Sequence, residues 1–228
     1  MKRILLVLLA VLMVATVFAG CKDDTIYTST TETTKQNTGD NTTETTKSEV
    51  ITMTYEEAYE YQTRDPEQGE TIAIIHTDFG DISMRFLDKV APVAVENFIT
   101  LAKDGKYDET IFHRVISNFM IQGGDYTNFN GTGGESAFGH EFDNECVENI
   151  SNITGSVAMA NAGPDTNGSQ FYINQVDNTY LDGGYTVFGW VYDGMDVVDA
   201  IAAVQTDPYD KPVEDVVVQS VEVLTYEG

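Results

Sequence analysis

Residues Phe112 to Asp125 read FHRVISNFMIQGGD, and they decide how the rest of the chain is understood. One arginine, Arg114, sits in a run dominated by apolar and small residues, with Phe119, Met120 and Gln122 close behind. An always-charged guanidinium among aromatic and aliphatic neighbours is costly to hold unless it pairs or acts on a ligand. Taken alone, the stretch favours pairing with a carboxylate, and Phe119 and Met120 as core. A second stretch, Ala158 to Asn174, reads AMANAGPDTNGSQFYIN: a short apolar strand start, a Gly/Pro/Asn loop, then an aromatic-rich strand.

Short β segments flank these two stretches on both sides. TIAIIHT (71–77) and GDISMRF (80–86) carry alternating apolar residues, Ile72 and Ile74, then Ile82, Met84 and Phe86, around Asp78-Phe79-Gly80, which predicts a β-hairpin. Pro92 opens a helical pattern with Val95, Phe98, Ile99 and Ala102 on one face, closed by Gly105. Strands follow around Phe112 to Ile116 and Met120 to Gly123, then a glycine-rich loop near Gly131 to Gly139. Further strands are expected over Gly155 to Ala160, Gln170 to Asn174 and Tyr185 to Val191, a second helix over about Met195 to Val204, and a last strand around Val216 to Leu224. Many short strands with two helices predict a mainly β, closed architecture for residues 71–228.

The segments FHRVI, FMIQGGD, GTGG (131–134), MANAGP and NGSQFYI occur in the order and at about the spacing of the cyclophilin family of peptidyl-prolyl isomerases, which this chain resembles from roughly Thr71 to Val223. The resemblance implies a closed eight-stranded antiparallel barrel capped by two α-helices, with the active site on its outer face. It also implies isomerase activity on X-Pro bonds without cofactor or metal. It assigns the catalytic donor to Arg114, and to Gln122 either the substrate's carbonyl side or the orientation of Arg114. Phe119, Met120, Tyr172 and Leu181 would form the apolar pocket for the proline ring. Backbone groups of Ala160, Asn161 and Ala162 would pair with the peptide, over a floor lined by Gln170. Gly133 and Gly134 serve loop geometry.

Two positions depart from well-known eukaryotic members: Tyr180 stands where they have a tryptophan, and Tyr185 where they have a histidine. Both can still stack and donate, so activity is expected to survive, whereas cyclosporin binding, which leans on the tryptophan, is expected to weaken. A proline-peptide binding module or holdase, with isomerisation incidental, is the alternative reading, because it would share the same pocket.

Composition narrows the field further. A formal charge of −25 excludes nucleic-acid or anionic-lipid binding driven by bulk electrostatics. His76, His113 and His140 show no ligand spacing and no serine sits in a nucleophile elbow, so neither a metal centre nor a hydrolase is expected. His113 reads as a structural, hydrogen-bonded residue. Cys21 and Cys146 are not expected to form a disulfide.

The first 20 residues combine Lys2 and Arg3, an apolar run from Ile4 to Phe18 and small residues at the end, a secretory signal too short for a membrane span. Phe-Ala-Gly-Cys resembles the lipobox of bacterial lipoproteins, with Cys21 the lipidated first residue and Phe18 where leucine is usual. Cleavage near Gly20 to a soluble secreted protein, or an uncleaved anchor, are the alternatives. Residues 21–50 are Thr-rich and of low complexity, and are read as a disordered tether spanning roughly 30 Å on average and about 100 Å at full stretch. Residues 51–70 include TYEEAYEYQ, a short helix ended by Asp65-Pro66. The expectation is a monomeric isomerase, lipid-anchored outside a bacterial cell membrane, acting on unfolded or partly folded exported proteins.

Overall fold

The hairpin anticipated around Asp78-Phe79 joins β1 (Thr71–Thr77) to β2 (Gly80–Phe86) in the computed structural model, which describes residues 51–228. The expected signal segment, Cys21 and the tether lie outside the described residues. Pairing places Ala73 opposite Met84 and Ile75 opposite Ile82, and these four face the main core together with Phe86. Of the alternating apolar residues, Ile72 and Ile74 lie on the other face, Ile74 pairing with Ser83 and Ile72 with Arg85. Residues 72–75 are apolar without a break, so a period of two cannot choose a face there.

Helix α1 (Tyr55–Thr63) confirms the expected short helix and starts at a reciprocal cap. The Thr54 hydroxyl accepts from the Glu57 N–H, and the Glu57 carboxylate accepts from the Thr54 N–H at 2.8 Å. Its other end is closed by Arg85 of β2, only 1% exposed, whose guanidinium donates to the carbonyls of Tyr61 and Gln62 and stands over the Tyr61 ring. A cation at the negative end of a helix is favourably placed. Burial still holds the Arg85 pKa below its ordinary value.

Helix α2 (Pro92–Lys103) has proline in its first turn and no cap of its own at Ala91. The carboxylate of Glu145 supplies one from a distance, accepting from the N–H groups of Val93 and Ala94. Phe98 of α2 is the hub of the core, with the rings of Phe86, Tyr107, Phe171 and Phe188 at 4.9 to 5.8 Å.

The remaining strands are β3 (Thr110–Ile111), β4 (Arg114–Ile116), β5 (Met120–Gly123), β6 (Ser156–Met159), β7 (Phe171–Asn174), β8 (Val187–Asp193) and β9 (Val217–Thr225), with helix α3 (Met195–Ala202) between the last two. All nine strands lie in one antiparallel sheet, in the order β3-β9-β1-β2-β8-β6-β7-β5-β4. Its two edges, β3 and β4, are consecutive in the chain and separated by Phe112 and His113 alone. The sheet therefore curls round until its edges meet, as the expected closed barrel requires. Eight strands were expected, and the ninth arises because residues 110–116 break at Phe112-His113 into two pieces that pair with opposite edges. Among the described residues the α-helices are the two expected in the barrel domain, α2 and α3, and the short α1 expected ahead of it.

Candidate active site

Register across β4, β5, β7 and β6 aligns Arg114 with Gln122, Gln122 with Tyr172 and Tyr172 with Ala158. The neighbouring row is Val115, Ile121, Ile173 and Val157, and all four belong to the main core. Because faces alternate along a strand, the first row points out of the barrel. The row beyond it sets Ile116 beside Met120. Met120, Tyr172 and Ala158 are buried in a second apolar cluster, against which Phe119, Ala160, Leu181 and Tyr185 pack.

A cavity of about 320 Å³ opens on this outer face. Nine of the twelve residues expected to bind or turn over substrate line it: Arg114, Phe119, Met120, Gln122, Ala160, Asn161, Tyr172, Leu181 and Tyr185. The other three stand apart. Gln170 lies behind Gln122, Ala162 has its N–H bonded to the Thr166 hydroxyl, and Tyr180 is 73% exposed, stacked on Phe119 at 6.3 Å. The Ala160 N–H is likewise taken, by the Gln170 carbonyl. An added peptide strand is thus left the Asn161 N–H, which makes no hydrogen bond among the described residues.

Arg114 satisfies both readings of its sequence. Its Nε lies 3.6 Å from Oδ2 of Asp210, each side chain 44% exposed, and it also lines the cavity. The Gln170 amide donates to the carbonyls of Gly131 and Gly133, which leaves its Oε1 to accept from Gln122 Nε2 at 2.9 Å. That sequence of bonds fixes which way both amides face and turns Gln122 Oε1 into an available acceptor. The Tyr172 hydroxyl, which burial pushes well above its ordinary pKa, donates to Asn152 Oδ1.

The glycine-rich loop is organised by Asp125, whose carboxylate accepts from the N–H groups of Thr127, Asn128, Asn130, Gly131 and Gly133. Burial alone would raise its pKa, but these bonds outweigh burial and hold it at about 2. At Gly133 a Cβ would come within 2.0 Å of the Thr127 hydroxyl, so glycine is required there.

Four lining residues were not anticipated: His113, Asn130, Gly131 and Tyr209. The expectation of a hydrogen-bonded His113 is corrected. The ring is 6% exposed and, among the described residues, neither nitrogen has a partner within hydrogen-bond geometry, although Gln170 stands near it. Desolvation holds its pKa below the ordinary value, with the Asp125 charge acting the other way. Tyr209 and Asp210 arrive from a distant turn in which the Asp207 carboxylate accepts from the N–H groups of Tyr209 and Lys211. The clustered Asp-Pro-Tyr-Asp marks the turn, but nothing in it signals proximity to Arg114.

A family model described as cyclophilin type peptidyl-prolyl cis-trans isomerase/CLD matches residues 72–223. A Staphylococcus aureus (strain USA300) protein named as a peptidyl-prolyl cis-trans isomerase is 39% identical over 193 residues, covering 72% of this chain and 98% of its own. The crystal structure of a Cryptosporidium parvum cyclophilin type isomerase superposes with a TM-score of 0.66 at 33% identity, covering 69% of this chain and 99% of that one. A second crystal structure of the same protein, in the presence of the dipeptide Ala-Pro, gives 0.66 at 34% identity over 68% and 99%. With the barrel, the outward row and the matched span in agreement, this chain belongs to the cyclophilin-type peptidyl-prolyl cis-trans isomerases.

Proposed function

We propose that the isomerase works through Arg114, acting on X-Pro bonds of proteins outside the cytoplasm while held to the membrane through a lipid on Cys21. The observation that carries the mechanism is the row Arg114, Gln122 and Tyr172 beside one apolar cavity. Prolyl isomerisation needs no nucleophile and no proton transfer. Its barrier of about 20 kcal/mol is lost amide resonance. In the twisted state the proline nitrogen regains its lone pair, so a donor aimed at it binds that state better than either planar one. Arginine suits the task because it is always protonated and accepts nothing.

The proline ring would sit against Phe119, Met120, Tyr172 and Leu181, with Tyr185 and the exposed Tyr180 at the rim. Gln122 Oε1, the Asn161 N–H and the carbonyls of Ala160 and Ala162 would hold the flanking peptide, with Gln170 fixing Gln122 from behind. The chain's likeness to a relative whose crystal structure was determined in the presence of Ala-Pro supports a proline peptide as the occupant. Arg114→Ala is expected to lower kcat/KM for a short X-Pro peptide by about 100- to 1,000-fold, the worth of one preorganised donor of about 3 to 4 kcal/mol. An unchanged rate would refute the mechanism and favour a binding module.

The signal-like first 20 residues and the sequence before Cys21 support export and anchoring. Cys21→Ala is expected to abolish incorporation of labelled fatty acid and release the protein from the membrane fraction. Continued membrane retention without label would refute the lipid anchor.

A further inference from the structure

Helix α1 lies upstream of the span that the family model covers and lines no part of the cavity, yet it packs on the apolar cluster from which the cavity's Met120 and Tyr172 come. Its Ala58 is fully buried in the same apolar cluster as Met120 and Tyr172, and Met53 and Tyr61 pack on that cluster beside Phe119, Leu181 and Tyr185. Gln62, 1% exposed, clasps residue 151 from both sides: its Nε2 donates to the Ser151 carbonyl at 2.7 Å and its Oε1 accepts from the Ser151 N–H at 3.0 Å.

From that clasp two lines of bonds run to the cavity. The Ser151 hydroxyl donates to one Asp182 oxygen and the Asn152 N–H to the other, at 2.6 and 2.7 Å, and Asp182 directly follows Leu181 of the rim. Asn152 Oδ1 in turn accepts from the Tyr172 hydroxyl at 2.7 Å. Arg85 ties the end of α1 to β2, and Asn149 Nδ2 donates to the Met53 carbonyl just ahead of the helix.

We propose that α1 is a positioning element of the proline pocket, with Gln62 holding Tyr172 and Leu181 in place through Ser151, Asn152 and Asp182. The inference rests on the cavity's being the proline subsite. Arg114 sits on β4, the far edge of the sheet, and has no bond to this network. Loosening the clasp should therefore weaken substrate binding and leave the bond-twisting step alone. An amide that donates and accepts at once on one backbone residue has no substitute of equal reach, since glutamate keeps only the accepting half.

The test uses the full chain and an Ala-Pro-containing peptide, with binding and turnover measured separately. Gln62→Ala should raise KM and the peptide Kd by about tenfold with kcat within twofold, and Gln62→Glu should fall between it and the parent. Tyr59→Ala, on the exposed side of α1, should change neither. Equal KM in a folded Gln62→Ala chain overturns the proposal. Linkage supplies a second measurement on the unaltered protein, in case that variant does not fold. If α1 sets the pocket, a saturating peptide must slow amide hydrogen exchange over residues 58–64. Unchanged exchange there overturns the proposal, and failure of the unaltered chain to bind the peptide overturns it together with the pocket assignment.

Discussion

Arg114 and Asp210 meet across the mouth of the cavity, Nε to Oδ2 at 3.6 Å, although 95 residues separate them in sequence. The Val115 N–H donates to the Asp210 carbonyl at 2.8 Å, so the acidic turn is tied to the arginine's own strand. Asp210 stands at the Nε edge of the guanidinium, and no hydrogen bond among the described residues takes the terminal nitrogens.

Asp210→Ala is accordingly expected to lower kcat/KM by about two- to fivefold, the effect of up to about 1 kcal/mol for a half-exposed pair, without a matching loss of stability. Exchange-based measurement of isomerisation reads it directly. A rate equal to the parent's would show that the pair does not orient Arg114.

Asp125 links loop geometry to acid stability. Its folded pKa of about 2 lies below that of an unfolded aspartate, about 3.9, so its contribution is present above pH ~4 and is lost as pH falls towards ~2. Asp125→Asn should make acid unfolding, followed by circular dichroism, begin at a similar pH but fall less steeply. At pH 7 it should cost about 2 to 3 kcal/mol, because backbone donors that met a charge would meet a neutral amide.

For His113 the sign is also towards lower stability in acid, from the opposite kind of group. Burial favours the neutral ring, so the folded pKa lies below the unfolded value of about 6.5. Stability is full above that value and falls as pH drops, by at most about 1.4 kcal/mol per pH unit. Urea midpoints at pH 7.5 and 5.5 should differ, and the difference should shrink in His113→Leu. Catalysis, resting on an arginine, should stay flat from pH 7 to 9.

Tyr180 tests the rim. Its ring is 73% exposed and stacked on Phe119, the place where the family's cyclosporin-binding members carry tryptophan. Calorimetry should find weak cyclosporin binding in the parent and tighter binding in Tyr180→Trp. Equal affinities would place the determinant elsewhere.

Much of this was legible along the chain. The strands of β5, β7 and β8 and helices α2 and α3 fall within a few residues of where turn residues and periodicity put them, because each signal is local. The motif order brought nine residues into one cavity. What could not be read depends on distant partners. The break at Phe112-His113 follows from pairing with opposite sheet edges, and the inward face of β1 from its register with β2. Asp125, at the end of the FMIQGGD segment, gave no sign of gathering five backbone donors. Nothing in the sequence of α1 marks Gln62 as the partner of Ser151, 89 positions away.

Strand β9, residues 217–225, lies between β3 and β1. A ribosome, or any channel that delivers the chain in order of sequence, releases this strand after every other strand of the sheet. Until then β1 and β3 have no common neighbour and the sheet remains an open ribbon with two bare edges. Ring closure must therefore follow the release of β9 rather than accompany that of the earlier strands. Loss of residues 217–225 alone would leave a sticky intermediate in place of a closed barrel.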